Sequence, residues 1–329
     1  MNKIERLPAF DVAKGLGIML IVLGHSGLQH SMHNWIYSFH VPLFFFISGC
    51  FLNRSRGFFQ TLGIESRRLL VPLFVTMAVG HLSLLAVFCL SGSYQGPDVQ
   101  EWIVKGILNT GEFLFCGMWF IWALFWTKCI LSLTRHVGHW WIELLLSVAL
   151  FLIGNYIADW GRNSDIAYSD YLQSFSFVRG LTAVVFVYAG SLFMNSPAKS
   201  LLANAKVQAL SVLILLFAAW FPIAMYGFFY PLSALNILTS LLIVIAVLAV
   251  STFFVSRFPD AKGVSVMKFY GNHTLLILCI HCVVHTLHLH VRLALVVSQS
   301  MEGIVEVAIL GIAVWVISRS EIFCKLCKK

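Results

Sequence analysis

The chain has 329 residues, of which 59% are hydrophobic and only 11% charged, and its formal net charge is +8. So few charged residues cannot cover a water-soluble fold, and basic loops beside anionic lipid account for the positive charge. The composition therefore excludes soluble enzymes and nucleic-acid-binding proteins. We expect an all-α protein, a polytopic integral membrane helical bundle that forms one domain over residues 1–329 and contacts membrane lipids.

Apolar runs divide almost the whole chain and predict about ten transmembrane helices, since each span needs roughly 20 residues. Cytoplasmic loops are enriched in Lys and Arg, and most basic residues fall at cytoplasmic helix ends when both termini are placed inside the cell. We therefore expect an even number of spans and two cytoplasmic termini. The predicted helices lie near residues 10–28, 35–52, 69–90, 113–133, 141–158, 177–194, 208–228, 232–255, 270–290 and 303–318.

The first predicted helix carries three ionisable side chains, in DVAKGLGIMLIVLGH at residues 11–25. Such groups cost a few kcal/mol inside a membrane, so they usually face a protein interior or a watery cavity. Asp11 and Lys14 share one helix face and can neutralise each other, although an ordinary interfacial ion pair gives the same spacing. His25 lies roughly 16 Å further along the axis and points in a similar direction to Lys14. This arrangement suits a long substrate that enters from the cytoplasm.

The second predicted helix contains FHVPLFFFISG at residues 39–49. Because this helix returns toward the cytoplasm, we expect His40 to meet His25 across a short hairpin. Two neighbouring imidazoles can supply a base and an acid near neutral pH, or one of them can simply orient the other.

Four arginines follow the second helix, at Arg54, Arg56, Arg67 and Arg68. They are either ordinary solvated residues of a cytoplasmic loop or a cluster that holds an anion such as phosphate, for which the guanidinium group offers forked donors.

The ninth predicted helix contains four histidines, at His281, His285, His288 and His290. Their spacing allows a zinc or copper site and hence a metal permease. No carboxylate accompanies them within the run, and histidine is inexpensive at a membrane interface, so we expect no metal.

Several motifs follow one another along most of the chain. They are Asp11, Lys14 and Gly15 with the later pair Gly24 and His25, then FHVPLFFFISG (39–49), RRLLVP (67–72), MWFIWALF (118–125) and FYGNHTLLILCIH (269–281). In this order they resemble the motifs of the membrane acyltransferase-3 family, which includes bacterial polysaccharide O-acetyltransferases. One position departs from that family's pattern, because Glu65 replaces the first Arg of an Arg-x-x-Arg element whose second residue, Arg68, is retained.

The resemblance implies transfer of an acetyl group from cytoplasmic acetyl-coenzyme A (acetyl-CoA) to a hydroxyl of a cell-surface or lipid-linked glycan, in a bacterial cytoplasmic (inner) membrane. His25 is then the expected general base, or alternatively a nucleophile that carries the acetyl group briefly. Asp11 is expected to orient Lys14, and Lys14, Arg67 and Arg68 to bind the phosphates of coenzyme A. The residues expected to line the acceptor or thioester region are His40, Ser48, Trp119, Asn272 and His281.

A different class of function remains open from the residues alone. A proton-coupled transporter or flippase of a lipid-linked sugar would use His25, His40 and His281 as relay groups, since ionisable residues at membrane depth also mark proton pathways.

Overall fold

The computed structural model describes residues 7–25, 30–91, 118–134, 137–166, 169–173, 175–221, 233–291 and 299–319. Within these ranges every regular element is helical, which confirms the predicted all-α class. A π-helical turn spans Ser66–Leu70, and short 3-10 helices lie at Ser169–Gln173 and Pro197–Ala203. The α-helices are α1 (Pro8–Gly24), α2 (His30–Tyr37), α3 (His40–Cys50), α4 (Phe58–Glu65), α5 (Val71–Ser91), α6 (Trp119–Thr134), α7 (Trp140–Asn163), α8 (Ser176–Asn195), α9 (Ala205–Trp220), α10 (Ser233–Arg257), α11 (Lys262–Asn272), α12 (Thr274–Val291) and α13 (Gln299–Arg319).

Three helices are long and apolar enough to cross a membrane among the residues that the structure describes: Trp140–Asn163, Ser176–Asn195 and Ala234–Arg257. Two bent helix pairs raise the number to five if each pair is one span. Both chain termini and parts of the helices predicted at 10–28, 113–133 and 208–228 lie outside the described residues. The count of ten spans and the cytoplasmic termini therefore stay predictions.

The predicted second helix at 35–52 is in fact two helices, α2 and α3, with a break at Ser38 and Phe39. Pro42 explains the break, because in a continuous helix its ring would collide with the carbonyl of Ser38. That carbonyl instead accepts a hydrogen bond of 2.7 Å from the hydroxyl of Ser240 in α10. The carbonyl of Ser38 is therefore paired despite the break, and His40 becomes the first residue of α3.

The predicted ninth helix at 270–290 begins later than expected, because α11 and α12 meet at a bend of 77°. His273 lies at the bend in a non-helical conformation with φ −116° and ψ 19°. Its ring Nδ1 donates to the carbonyl oxygen of Phe269 at 2.8 Å. The chain thus turns within the motif at 269–281, and only its second half belongs to the long apolar helix.

Helix α1 packs against α11 with the two backbones in contact. A Cβ atom on Gly15 would overlap the carbonyl oxygen of Met267, and one on Gly271 would overlap the carbonyl oxygen of Asp11. Small residues allow this approach in membrane proteins, where close van der Waals packing drives the association of helices.

The same reciprocal arrangement joins α3 to α8. A Cβ atom on Gly49 would overlap the carbonyl oxygen of Val187, and one on Gly190 would overlap that of Phe46. Helix α1, which ends just before His25, and helix α3, which begins with His40, are thus each packed against one neighbour through a pair of glycines.

Large apolar side chains cover the outer surface of the helices. Water-soluble monomers rarely expose contiguous apolar surface on this scale, whereas lipid is a suitable solvent for it. Among the most exposed are Val75, Leu82, Leu145, Tyr156, Leu213, Phe217, Trp220, Leu238 and Ile312.

Candidate functional site

A cavity of about 300 Å³ lies between α1, α3, α6 and the beginning of α12. Apolar side chains form most of its wall, and polar groups interrupt the wall at a few places. Six residues that the sequence singled out line this cavity: Lys14, His25, His40, Ser48, Arg68 and Trp119.

Helix α1 carries polar groups at both of its ends along the cavity. Near the beginning of the helix, the Nζ of Lys14 lies 2.8 Å from Oδ1 of Asp11, as the three-residue spacing predicts. Their side chains are 23% and 14% exposed, respectively. Lys14 lines the cavity and Asp11 does not. The carboxylate therefore holds the ammonium group against the cavity wall, and His25 follows at the other end of the helix.

Arg68 and Arg67 differ in position although they are adjacent in sequence. Both lie in the π-helical turn Ser66–Leu70. Both side chains are exposed, but Arg68 lines the cavity and Arg67 is not among the lining residues. Single π-helical turns often occur at functional sites because the wider turn changes the register of side chains. A phosphate contact of Arg67 stays a prediction, and its side chain lies on the surface.

The rings of His25 and His40 are linked through Tyr37. The ring centroid of Tyr37 is 6.5 Å from that of His25 and 4.7 Å from that of His40. The Nδ1 of His40 donates to the carbonyl oxygen of Ile36 at 2.8 Å, which fixes the buried ring at the beginning of α3. The two histidines thus line one cavity with a tyrosine between them. No sequence pattern distinguished Tyr37, because the predicted helix ran through it without a break.

His281 lies next to His25 in the helical bundle. The ring centroids are 5.4 Å apart, with an interplanar angle of 39°. The Nδ1 of His281 donates to Oε1 of Glu306 at 2.7 Å, and the His281 side chain is only 1% exposed. Glu306, His281 and His25 thus form a series in which each side chain lies next to the following one. Only the last of these, His25, lines the cavity.

Glu306 changes the interpretation of the histidine-rich helix. The sequence run itself contains no carboxylate, but α13 supplies one to its first histidine. No local pattern connects two residues that are 25 positions apart, so this partner is visible only in the folded chain. The side chains of His285, His288 and His290 lie outside the part of the chain that the structure describes.

A buried ion pair lies beside Arg68. The Nζ of Lys128 donates to Oε2 of Glu65 at 2.9 Å, and both side chains are more than nine-tenths buried. Arg56 approaches the other oxygen of Glu65 at 4.0 Å. Lys128 also lines the cavity. From the sequence, Lys128 counted only as one more basic residue near a cytoplasmic helix end, and Glu65 only as a departure from a family pattern.

Trp119 and Asn272 have different surroundings. Trp119 lines the cavity, and the buried guanidinium of Arg179 lies over its ring, 4.5 Å from the centroid. Asn272 is exposed at the end of α11 and is not among the lining residues. Its expected contact with substrate stays a prediction.

A family model described as an acyltransferase domain matches residues 7–318. The chain is 32% identical to nodulation protein NolL of Sinorhizobium fredii over 131 residues, which is 35% of this chain and 33% of that protein. It is 29% identical to nodulation protein NolL of Mesorhizobium japonicum over 133 residues, or 36% of this chain and 33% of that protein. The matches thus span about a third of the length of these curated relatives. No solved structure matches the chain.

Proposed function

Because this chain belongs to the acyltransferase-3 family, we propose that it is a membrane O-acyltransferase that moves an acetyl group from cytoplasmic acetyl-CoA to a hydroxyl of a cell-surface or lipid-linked glycan. Its apolar helices and its family make it an integral membrane protein, and the bacterial cytoplasmic membrane is part of the proposal. The observation that supports the proposal is one cavity that the cations Lys14 and Arg68 and the imidazole of His25 all line.

The donor would lie along α1. Coenzyme A is a long molecule with phosphates at one end and a thioester at the other, so it needs cations and a reacting group that are separated by a narrow, mostly apolar passage. Lys14 and Arg68 offer the cations, and His25 lies roughly 16 Å from Lys14 along the helix. Isoleucine and phenylalanine side chains line the passage, as an uncharged arm of the donor requires.

His25 would act as the general base. As the acceptor hydroxyl oxygen attacks the thioester carbonyl carbon, His25 removes the hydroxyl proton, and the new carbon–oxygen bond forms as the carbon–sulfur bond breaks. The leaving thiolate then takes the proton from His25, so the products are the acetyl ester and coenzyme A with a free thiol. No net charge remains in the cavity after one turnover.

Glu306 and His281 would position His25 and stabilise its protonated form. The hydrogen bond of 2.7 Å to Glu306 places the proton of His281 on Nδ1, which fixes the tautomer of that ring. The negative charge of Glu306 then favours an imidazolium on the neighbouring His25 when it takes the proton. This is the orienting role that a buried carboxylate has beside a catalytic histidine in other acyl-transfer sites.

One observation also favours the second candidate function. Glu306, His281 and His25 form a chain of titratable groups that ends at a cavity, as a proton-coupled transporter or flippase of a lipid-linked sugar requires. The two functions differ in their product, because only the acyltransferase forms an ester.

The decisive experiment measures acetyl esters on the host's glycans. We expect mass spectrometry of surface and lipid-linked glycans to find acetyl esters in cells that carry the wild-type gene and not in cells with the His25→Ala variant. His139→Ala is the matched control, because this exposed histidine precedes α7 and does not line the cavity. Equal ester content in the His25→Ala strain, at equal amounts of membrane-inserted protein, contradicts the assignment. Sugar transport without ester formation favours the flippase.

A further inference from the structure

We propose that Lys128 is a binding residue for a phosphate of coenzyme A, and that Glu65 holds it in place at the cavity wall. This inference rests on the proposed function, since acetyl-CoA is the proposed donor. Lys128 would be a third phosphate-binding cation besides Lys14 and Arg68. It lies on α6, and no sequence motif linked that helix to phosphate binding.

The geometry of the pair supports a role beyond joining two helices. Lys128 lines the cavity and Glu65 does not, so the ammonium group is on the cavity side of the pair. Its hydrogen bond to Glu65 uses one of three ammonium protons, so donors remain for a ligand. Burying two charges is costly, and an apolar pair of similar volume often stabilises a fold equally well. A buried lysine on a cavity wall is therefore better explained by a ligand than by stability.

The charge balance around Lys128 also favours an anion. Glu65 is shared between Lys128 and Arg56, so its single negative charge does not neutralise both cations. Lys14 and Arg68 line the same cavity, and Asp11 compensates only Lys14. This end of the cavity thus holds an excess of positive charge, which the several phosphate charges of coenzyme A would balance.

The position of Glu65 gives the pair a further meaning. Glu65 occupies the place at which the family pattern has the first arginine of its Arg-x-x-Arg element. In this chain the carboxylate at that place holds a cation that α6 supplies. A positive charge therefore lies beside this place, and α6 supplies it in place of residue 65.

Calorimetric titration of the purified protein with coenzyme A tests the inference. We expect Lys128→Met to weaken coenzyme A binding about 10- to 100-fold, the effect of losing one charge-assisted hydrogen bond. Binding of S-acetylpantetheine, which has no phosphate, should stay unchanged. Lys206→Met is the matched control, because this exposed lysine in the first turn of α9 is remote from the cavity lining.

A charge swap separates ligand binding from structure. Glu65→Lys alone and Lys128→Glu alone each place like charges together, and both should lower Tm. The double substitution restores an ion pair and hence Tm, but it moves the cation off the cavity wall, so coenzyme A binding should remain weak. If the double variant regains wild-type affinity together with Tm, or if Lys128→Met binds coenzyme A normally, Lys128 has a structural role only.

The same measurements distinguish this inference from the proposed function. Coenzyme A binding that depends on Lys128, in a protein that forms no acetyl ester, would overturn the acyltransferase and leave the phosphate contact standing. Acetyl transfer by the Lys128→Met variant with wild-type coenzyme A affinity would overturn the contact alone.

Discussion

The two ends of the cavity differ in how their ionisable side chains are paired with carboxylates. At the cationic end, Lys14 and Lys128 each pair with a carboxylate, either on the same helix or on an adjacent one. At the imidazole end, the carboxylate of Glu306 reaches His25 only through an intervening ring. Side chains that stay charged are suited to binding an anion. An imidazole that is separated from a carboxylate by one other ring is suited to proton transfer. Substitutions at the two ends should therefore change different kinetic constants.

The largest effect is expected from the imidazole end. We expect His25→Gln to lower kcat about 100- to 10,000-fold, the usual contribution of a general base, with KM for acetyl-CoA little changed. Steady-state kinetics on protein in lipid nanodiscs provide the measurement. A variant that loses donor affinity and keeps its turnover would reverse the roles assigned to the two ends.

The cationic end should give the opposite pattern. Lys14→Met removes the proposed phosphate contact, so we expect KM for acetyl-CoA to rise about 10- to 100-fold while kcat at saturating donor is largely kept. The same kinetic assay provides the measurement. Because this change leaves Asp11 without its partner, the double variant with Asp11→Asn is the control for misfolding. Unaltered donor dependence in both variants would remove Lys14 from the binding site.

An intermediate effect is expected from the carboxylate behind the imidazoles. Glu306→Gln keeps the shape of the side chain and removes its charge, so we expect kcat to fall about tenfold with KM for acetyl-CoA unchanged. Glu306→Asp should recover part of the lost turnover because it restores the charge. If the Gln variant lowers Tm and donor affinity together, Glu306 only supports the packing of α13.

The smallest effect concerns the break between α2 and α3. Ser240→Ala removes the hydrogen bond to the Ser38 carbonyl and should lower the free energy of unfolding by about 1 kcal/mol. Thermal unfolding in detergent measures the change. The control is Ser83→Ala, because the hydroxyl of this serine donates only within α5, to the carbonyl oxygen of Val79. A clear loss of kcat in addition would mean that the break itself positions Tyr37 and His40.

Much of the cationic end could be predicted from the sequence. The spacing of Asp11 and Lys14 defines a helix face, and the ion pair follows from that spacing without further information. Helix class and most helix positions were also predictable, because apolar runs of this length have few alternatives.

The remaining features depend on contacts between helices that are distant in sequence. Glu306 contacts His281 from another helix, and the periodicity of the sequence does not predict a contact between side chains of different helices. Lys128 has the same signature in sequence as any basic residue of a cytoplasmic loop, and only its burial against Glu65 distinguishes it. Tyr37 was missed because the prediction of one continuous helix did not take into account that the Pro42 ring would collide with the carbonyl of Ser38.

The glycine contacts between α1 and α11 have a consequence for substrate choice. Because the two main chains touch at Gly15 and Gly271, α1 is packed closely against its neighbour. Lys14 and His25 lie near the two ends of this one helix, so the helix sets the distance between them. If the reactive carbon of a donor lay nearer to or further from its anionic end, that carbon would not reach His25 while the anionic end contacts Lys14. We therefore expect the protein to select donors by their length.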